Sequence, residues 1–118
     1  MKYVHIVFCL LLVLFAAVQY NDPDGPLWMV IYLIPAFWSA FAAFRLPRLR
    51  ARLPLVALSV CLIAALGATL FYWPDVPGWW RKDVWWEVET AREGMGVMVG
   101  TLALLFALGS ALHARRRA

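Results

Sequence analysis

Four tracts of 18 to 20 residues contain no Asp, Glu, Lys or Arg: Tyr3–Tyr20, Pro26–Phe44, Pro54–Trp73 and Gly94–Leu112. At ~1.5 Å rise per residue each makes a helix of roughly 27 to 30 Å, which matches the hydrocarbon thickness of a bilayer. A segment in lipid must pair its own backbone N–H and C=O groups, so these tracts are expected to be helices. The expected fold class is all-α: an integral membrane four-helix bundle with helices over about 3–20, 26–44, 54–73 and 94–112. It is expected to form a single four-span domain over 1–118 with no soluble domain. Composition agrees, because 64% of the residues are hydrophobic and 15% charged, whereas soluble domains are nearer half apolar.

The first tract has a second reading as a secretory signal, since Lys2 precedes an apolar stretch. No clean small-x-small cleavage site precedes Asn21, and removal would leave an odd number of spans.

Charge sets the expected orientation. Lys2, Arg45, Arg48, Arg50, Arg52, Arg115, Arg116 and Arg117 flank the tracts on one side with no acid among them. By the positive-inside rule that side is cytoplasmic, which places both termini inside. All seven acids fall on the other side, offset only by Arg81, Lys82 and Arg92. The expected location is therefore the cell (inner) membrane, as a multi-pass protein. The net charge of +4 and the pI near 9.5 follow from this asymmetry and are not a nucleic-acid footprint. The stretch "RLPRLRAR" has a secondary reading as a contact for anionic lipid.

The loops carry turn and interface chemistry. In "VQYNDPDGPLW", Val18 to Trp28, Asp24 or Gly25 can cap the second helix with Pro26 at its first position, and Pro54 opens the third. Pro35 is expected to kink the second helix and free a carbonyl. Five of the seven tryptophans fall within Trp73–Trp86, which suits a loop lying along the membrane surface as an interfacial anchor. "YNDPDGPLW" and "YWPDVPGWW" echo one another, as two turns built under one constraint would. Cys9 and Cys61 lack CxxC or Cys/His spacing, so neither a disulfide nor a thiolate metal site is signalled, and a thiol-oxidising membrane enzyme is disfavoured. No second His or carboxylate shares the depth of His5, and His113 is a terminal residue beside Arg115, so neither is assigned a ligand role.

One constellation could carry chemistry. At 100° per residue, Glu89, Arg92, Glu93, Gly96 and Gly100 fall in one arc that continues through Ala103, Ala107 and Ala111, provided that the last helix begins early. Small residues mark close helix approach, so this arc is expected to face the bundle. His5, Cys9, Ala16 and Gln19 share a face of the first helix, and Tyr32 and Ser39 lie with Pro35 on the second. A polar cap of Gln19, Asn21, Asp22, Asp24, Glu89, Arg92 and Glu93 is expected at the outer mouth. It has two readings. Arg92 could bridge Glu93 or Glu89 to Asp22, bracing the loops. Alternatively, carboxylates with amide oxygens are the hard-oxygen set that takes Ca²⁺, Mg²⁺ or Mn²⁺, or that does acid/base work on a small ligand.

"VQYNDPDGPLWMVIYLIPA" and "ETAREGMG" resemble the two characteristic segments of the transmembrane protein 220 family. The matching positions are Gln19, Asn21, Asp22, Pro23, Asp24, Tyr32, Ile34, Pro35, Ala36, Glu89, Arg92, Glu93 and Gly96. The resemblance implies a multi-pass membrane protein and supports the polar cap, but it implies no cofactor, catalytic residue or ligand.

Three functional classes compete. The first is a non-enzymatic structural or interaction protein, packing against a membrane-protein partner or another copy of itself. The second is an outer-face carboxylate/arginine pocket for a metal cation or small ligand, in a binding protein or membrane enzyme. Transport is the third, and it is disfavoured because no acid lies deep in a tract and the basic residues are not balanced between the two sides.

Overall fold

The computed structural model describes residues 2–21 and 23–117, leaving Met1, Asp22 and Ala118 outside the described residues. These residues are helical with no strand among them: α1 Lys2–Ala17, α2 Gly25–Phe44, α3 Leu46–Leu49, α4 Arg52–Phe71, α5 Lys82–Trp85 and α6 Glu89–Arg117. Three of the helices, α2, α4 and α6, are long and apolar enough to cross a membrane, while α1 is a shorter apolar helix of 16 residues.

The boundaries differ from the expected ones for local reasons. α1 ends at Ala17 and not at Tyr20, because Gln19 N bonds Ala16 O at 3.1 Å, an i−3 contact that tightens the last turn. α4 starts two residues before Pro54, which is tolerated in a first turn where N–H groups have no helical partner anyway. It stops at Phe71, before Trp73, because Pro74 disfavours helical geometry in the residue ahead of it. α6 runs beyond its apolar tract at both ends. Glu89 lies in its first turn, and Arg115 and Arg116 lie in its last, each charge placed where it complements the helix dipole. α2 stays helical through Pro35. The short helices α3 and α5 lie in the connecting loops.

α6 is the hub. α1 and α2 form an antiparallel pair, and both pack on α6, as does α4 from another side. Half of the apolar window of α6 is buried, against 17% of that of α4. The small arc expected on α6 is the buried one, since Gly96, Gly100, Ala103, Ala107 and Ala111 are all buried. Its first glycines receive the second helix directly. A Cβ at Gly96 would meet the Tyr32 ring (2.8 Å from Cε1) and its hydroxyl, and one at Gly100 would lie 3.2 Å from Pro35 Cγ. Tyr32 and Pro35 are therefore knobs, and Gly96 and Gly100 are the holes, so α2 and α6 run parallel in tight contact.

Two apolar cores follow. At the end carrying Asp24 and Glu93, hereafter the acidic end, Leu12, Ala16, Trp28, Tyr32, Ala36, Val97 and Ala103 pack together. Toward the opposite, basic end, Trp38, Leu49, Leu55, Leu58, Leu62, Leu104 and Ala107 do so. Polar pins fix the register of the helices on α6. His5, 1% exposed, pairs its Nε2 with Ser110 Oγ at 2.8 Å, and Thr69 Oγ1 lies 2.8 Å from Thr101 Oγ1. With no second His or carboxylate at its depth, His5 is held instead by a serine hydroxyl at Nε2, while its Nδ1 has no partner among the described residues.

Gly96→Ala is expected to lower unfolding stability in mixed micelles by about 1 to 3 kcal/mol through overpacking. In a Tyr32→Leu background most of that loss should vanish, because the two residues share one contact. Gly67 and Gly109, where an added Cβ meets nothing within 4 Å, should accept Ala with neutral or stabilising effect. Additive losses at Gly96 and Tyr32 would contradict the interlock.

A candidate polar cap at the acidic end

The α1–α2 connection is a closed turn. Gly25 is buried against the backbone of Gln19, so that a Cβ there would collide with the Gln19 carbonyl. Asp24 takes the position before α2 but makes no side-chain cap to the backbone. Its Oδ2 instead accepts a hydrogen bond from Trp28 Nε1 at 3.0 Å, one turn on. Trp28, 2% exposed, stacks edge-on to Tyr72 at 5.1 Å between centroids and tilts against Tyr32 at 5.8 Å. One carboxylate thereby orients the ring that joins α2 to the end of α4.

The second segment is anchored as closely. A Cβ at Gly94 would lie 2.5 Å from Tyr72 O and from Pro74 Cγ, so the start of α6 passes directly under the end of α4. Arg92 is exposed, and its Nη1 donates to the carbonyls of Trp86 and Trp85, at 2.6 and 3.2 Å. These are carbonyls at the end of α5 that the short helix leaves without partners, and a cation is well suited to them. The guanidinium therefore holds the tryptophan-rich loop. Among the described residues the ion pair formed is Arg81–Asp83, 2.9 Å apart on the exposed part of that loop.

Glu93 is half-buried. Its electrostatic neighbours are Glu89, one turn back on the same face, Asp24 across from α2, and Arg92 as the opposing charge. The Tyr32 hydroxyl also lies within its field. Three carboxylates from the two segments therefore converge loosely, close enough to repel. Among the described residues, however, no group of three His, Cys, Asp or Glu side chains is gathered tightly enough to hold a metal ion.

The expected cap residues thus separate into groups. Asp24, Glu89 and Glu93 come together, and Arg92 stands beside them with its donors turned to the loop. Gln19 is half-buried and Asn21 exposed, and neither side chain bonds to the cluster among the described residues. Asp22, the third partner of the expected bridge, lies outside the described residues. Tyr32, Trp28, Tyr72 and Gly94 complete the cap and were not anticipated as part of it. The i, i+4 spacing of Asp24 and Trp28 is the sequence signal that could have found the first pair. Cys9 and Cys61 are free.

Arg92→Gln is expected to remove charge-assisted bonds worth about 1 to 2 kcal/mol at an exposed site. Amide hydrogen exchange at Trp85, Trp86 and Val88 should speed up roughly fivefold or more, with the α2 and α6 cores unchanged. Unaltered exchange in that loop would show that the guanidinium does not hold it.

No curated protein and no solved structure matches the chain. A family model described as "Transmembrane family 220, helix" matches residues 11–109. With three membrane-length apolar helices beside that match, the chain is an integral membrane protein, and it belongs to transmembrane family 220.

Proposed function

We propose that this protein is a non-enzymatic structural or interaction protein of the cell (inner) membrane, a four-helix bundle that crosses the bilayer four times with both termini cytoplasmic. The observation that carries this reading is how the motif residues are used. Tyr32 and Pro35 fill the spaces at Gly96 and Gly100, Asp24 orients Trp28, and Arg92 secures the α5 loop. These groups support helix contacts, the use that a structural or interaction role makes of small and aromatic residues. Lys2, the Arg45–Arg52 stretch and the arginines ending α6 carry the orientation. The tryptophan-rich loop and the largely uncovered α4 offer a surface for a membrane-protein partner or a second copy.

Native membranes solubilised in mild detergent are expected to yield the chain with a stoichiometric partner, and a clean monomer would overturn the interaction role. For the topology, single cysteines are introduced in a Cys9→Ala/Cys61→Ala background. Tyr3→Cys and Arg50→Cys should react with an impermeant maleimide only after permeabilisation, and Asp75→Cys in intact cells. Labelling of Tyr3→Cys together with Asp75→Cys would show that α1 does not cross.

The crowding of Glu93 by Glu89 and Asp24 favours a second reading, a cap that accepts Ca²⁺, Mg²⁺ or Mn²⁺ with help from Asn21, Asp22 and Gln19. Like charges held together cost stability, and functional sites commonly carry such a cost. Glu93→Gln should then raise the Tm in chelator by a few degrees and abolish any rise in Tm that divalent ions give the parent chain. A lower Tm, with no ion effect in either chain, would leave the cap as a brace.

A further inference from the structure

The uneven packing of α4 leaves a groove that leads to the carboxylates. Near the basic end, Leu55, Leu58 and Leu62 hold α4 in the core with Trp38 and Leu104. Toward the acidic end the residues facing the gap are small, namely Ala64, Ala65 and Ala68 on α4 with Gly96 and Gly100 on α6, and a groove of about 200 Å³ opens between α4 and α2. It extends along α6 from Gly96 to Leu104, roughly 12 Å at ~1.5 Å per residue. Tyr32 lines its upper end at 4% exposure, and its hydroxyl has no hydrogen-bond partner among the described residues. One turn above stands Glu93 with Glu89 and Asp24, while Arg92 is engaged with backbone carbonyls.

We propose that this groove seats one acyl chain of a bilayer lipid whose headgroup carries an ammonium group, with the ammonium against Glu93 and Asp24. Shape and charge each narrow the choice of occupant. A helix is ~10 to 12 Å across with its side chains, too wide for this space, whereas an acyl chain is a single file of methylenes. Three carboxylates against the single Arg92 guanidinium leave an excess of negative charge among the described residues, which repels an anionic headgroup and attracts an ammonium. The Tyr32 hydroxyl, just below them, is placed to donate to an ester or phosphate oxygen of the same lipid. An ordinary lipid-facing helix surface has neither the concavity nor the polar end. This assignment goes beyond the scaffolding role and does not depend on it.

The test uses the full chain in nanodiscs holding equal amounts of phosphatidylethanolamine and phosphatidylglycerol with identical acyl chains, released for native mass spectrometry. One phosphatidylethanolamine per chain is expected, retained about tenfold over phosphatidylglycerol. Ala64 is exposed at the rim of the groove, so Ala64→Phe should fold, as circular dichroism will report, and should lose the bound lipid. Ala57→Phe, exposed on α4 outside the groove, should keep it. Glu93→Gln should retain a lipid but lose the headgroup preference. Equal retention of the two lipids by the parent chain would overturn the proposal. So would a bound lipid indifferent to Ala64→Phe, or a two-chain mass that Ala64→Phe abolishes, which would assign the groove to a second copy.

Discussion

The approach of α2 to the glycine face of α6 is the contact on which the remaining packing depends. In lipid no hydrophobic effect drives helices together, so association relies on how closely backbones can pack and on what they hydrogen-bond. Gly96 and Gly100 let α6 meet Tyr32 and Pro35 almost backbone to side chain. That contact fixes the height of α2 relative to α6, and α1 then follows, because it is tied to α2 by the closed turn at Gly25 and to α6 by the His5–Ser110 bond. It also brings Asp24, at the start of α2, level with Glu93, at the start of α6. The crowding of the carboxylates is thus a consequence of helix register and requires no separate device to gather them.

α4 is held differently. Its leucines are well packed at one end only, and at the other the Thr69–Thr101 pair and the passage of Gly94 beneath Tyr72 keep it on α6. Each threonine hydroxyl also has a carbonyl of its own helix within reach, Ala65 O for Thr69 and Val97 O for Thr101. Breaking the pair therefore strands no proton in lipid. The acidic half of α4 is attached by contacts that can be exchanged at small cost, while the basic half is fixed by apolar packing. Motion in this protein is expected to concentrate where α4 borders the groove.

Much of this was legible in the amino-acid sequence, and what was not has identifiable causes. The helix tracts and the buried arc of α6 could be read because lipid forbids unpaired backbone and because a 3.6-residue period places Gly96, Gly100, Ala103 and Ala107 on one side. The partner of Arg92 could not be read, because backbone carbonyls at the end of a four-residue helix leave no trace in side-chain types. His5 and Ser110 are 105 positions apart, and nothing local marks either as the other's partner. α4 is apolar on every side, so its periodicity does not say which face meets α6 or where it leaves α2. Asp24, Glu89, Arg92 and Glu93 could be read as a set toward one end of the helices. Its division into carboxylates that meet and an arginine that faces a loop depends on tertiary geometry alone.

The unequal helix lengths bear on the membrane itself. α1 has 16 residues and α6 has 29, about 24 and 44 Å at ~1.5 Å per residue, against a hydrocarbon layer of ~30 Å. Lys2, with its ammonium 5.5 Å from the Phe44 ring centroid, marks one end of the short helix. If all four helices cross, as proposed, the bilayer around this protein is not matched equally on all sides. On the proposed four-span reading, lipid beside α1 would thin, or α1's flanking side chains would reach outward, while α6 would tilt or extend past the interface. On that reading such a perimeter favours a bilayer that is thinner beside α1 than beside α6.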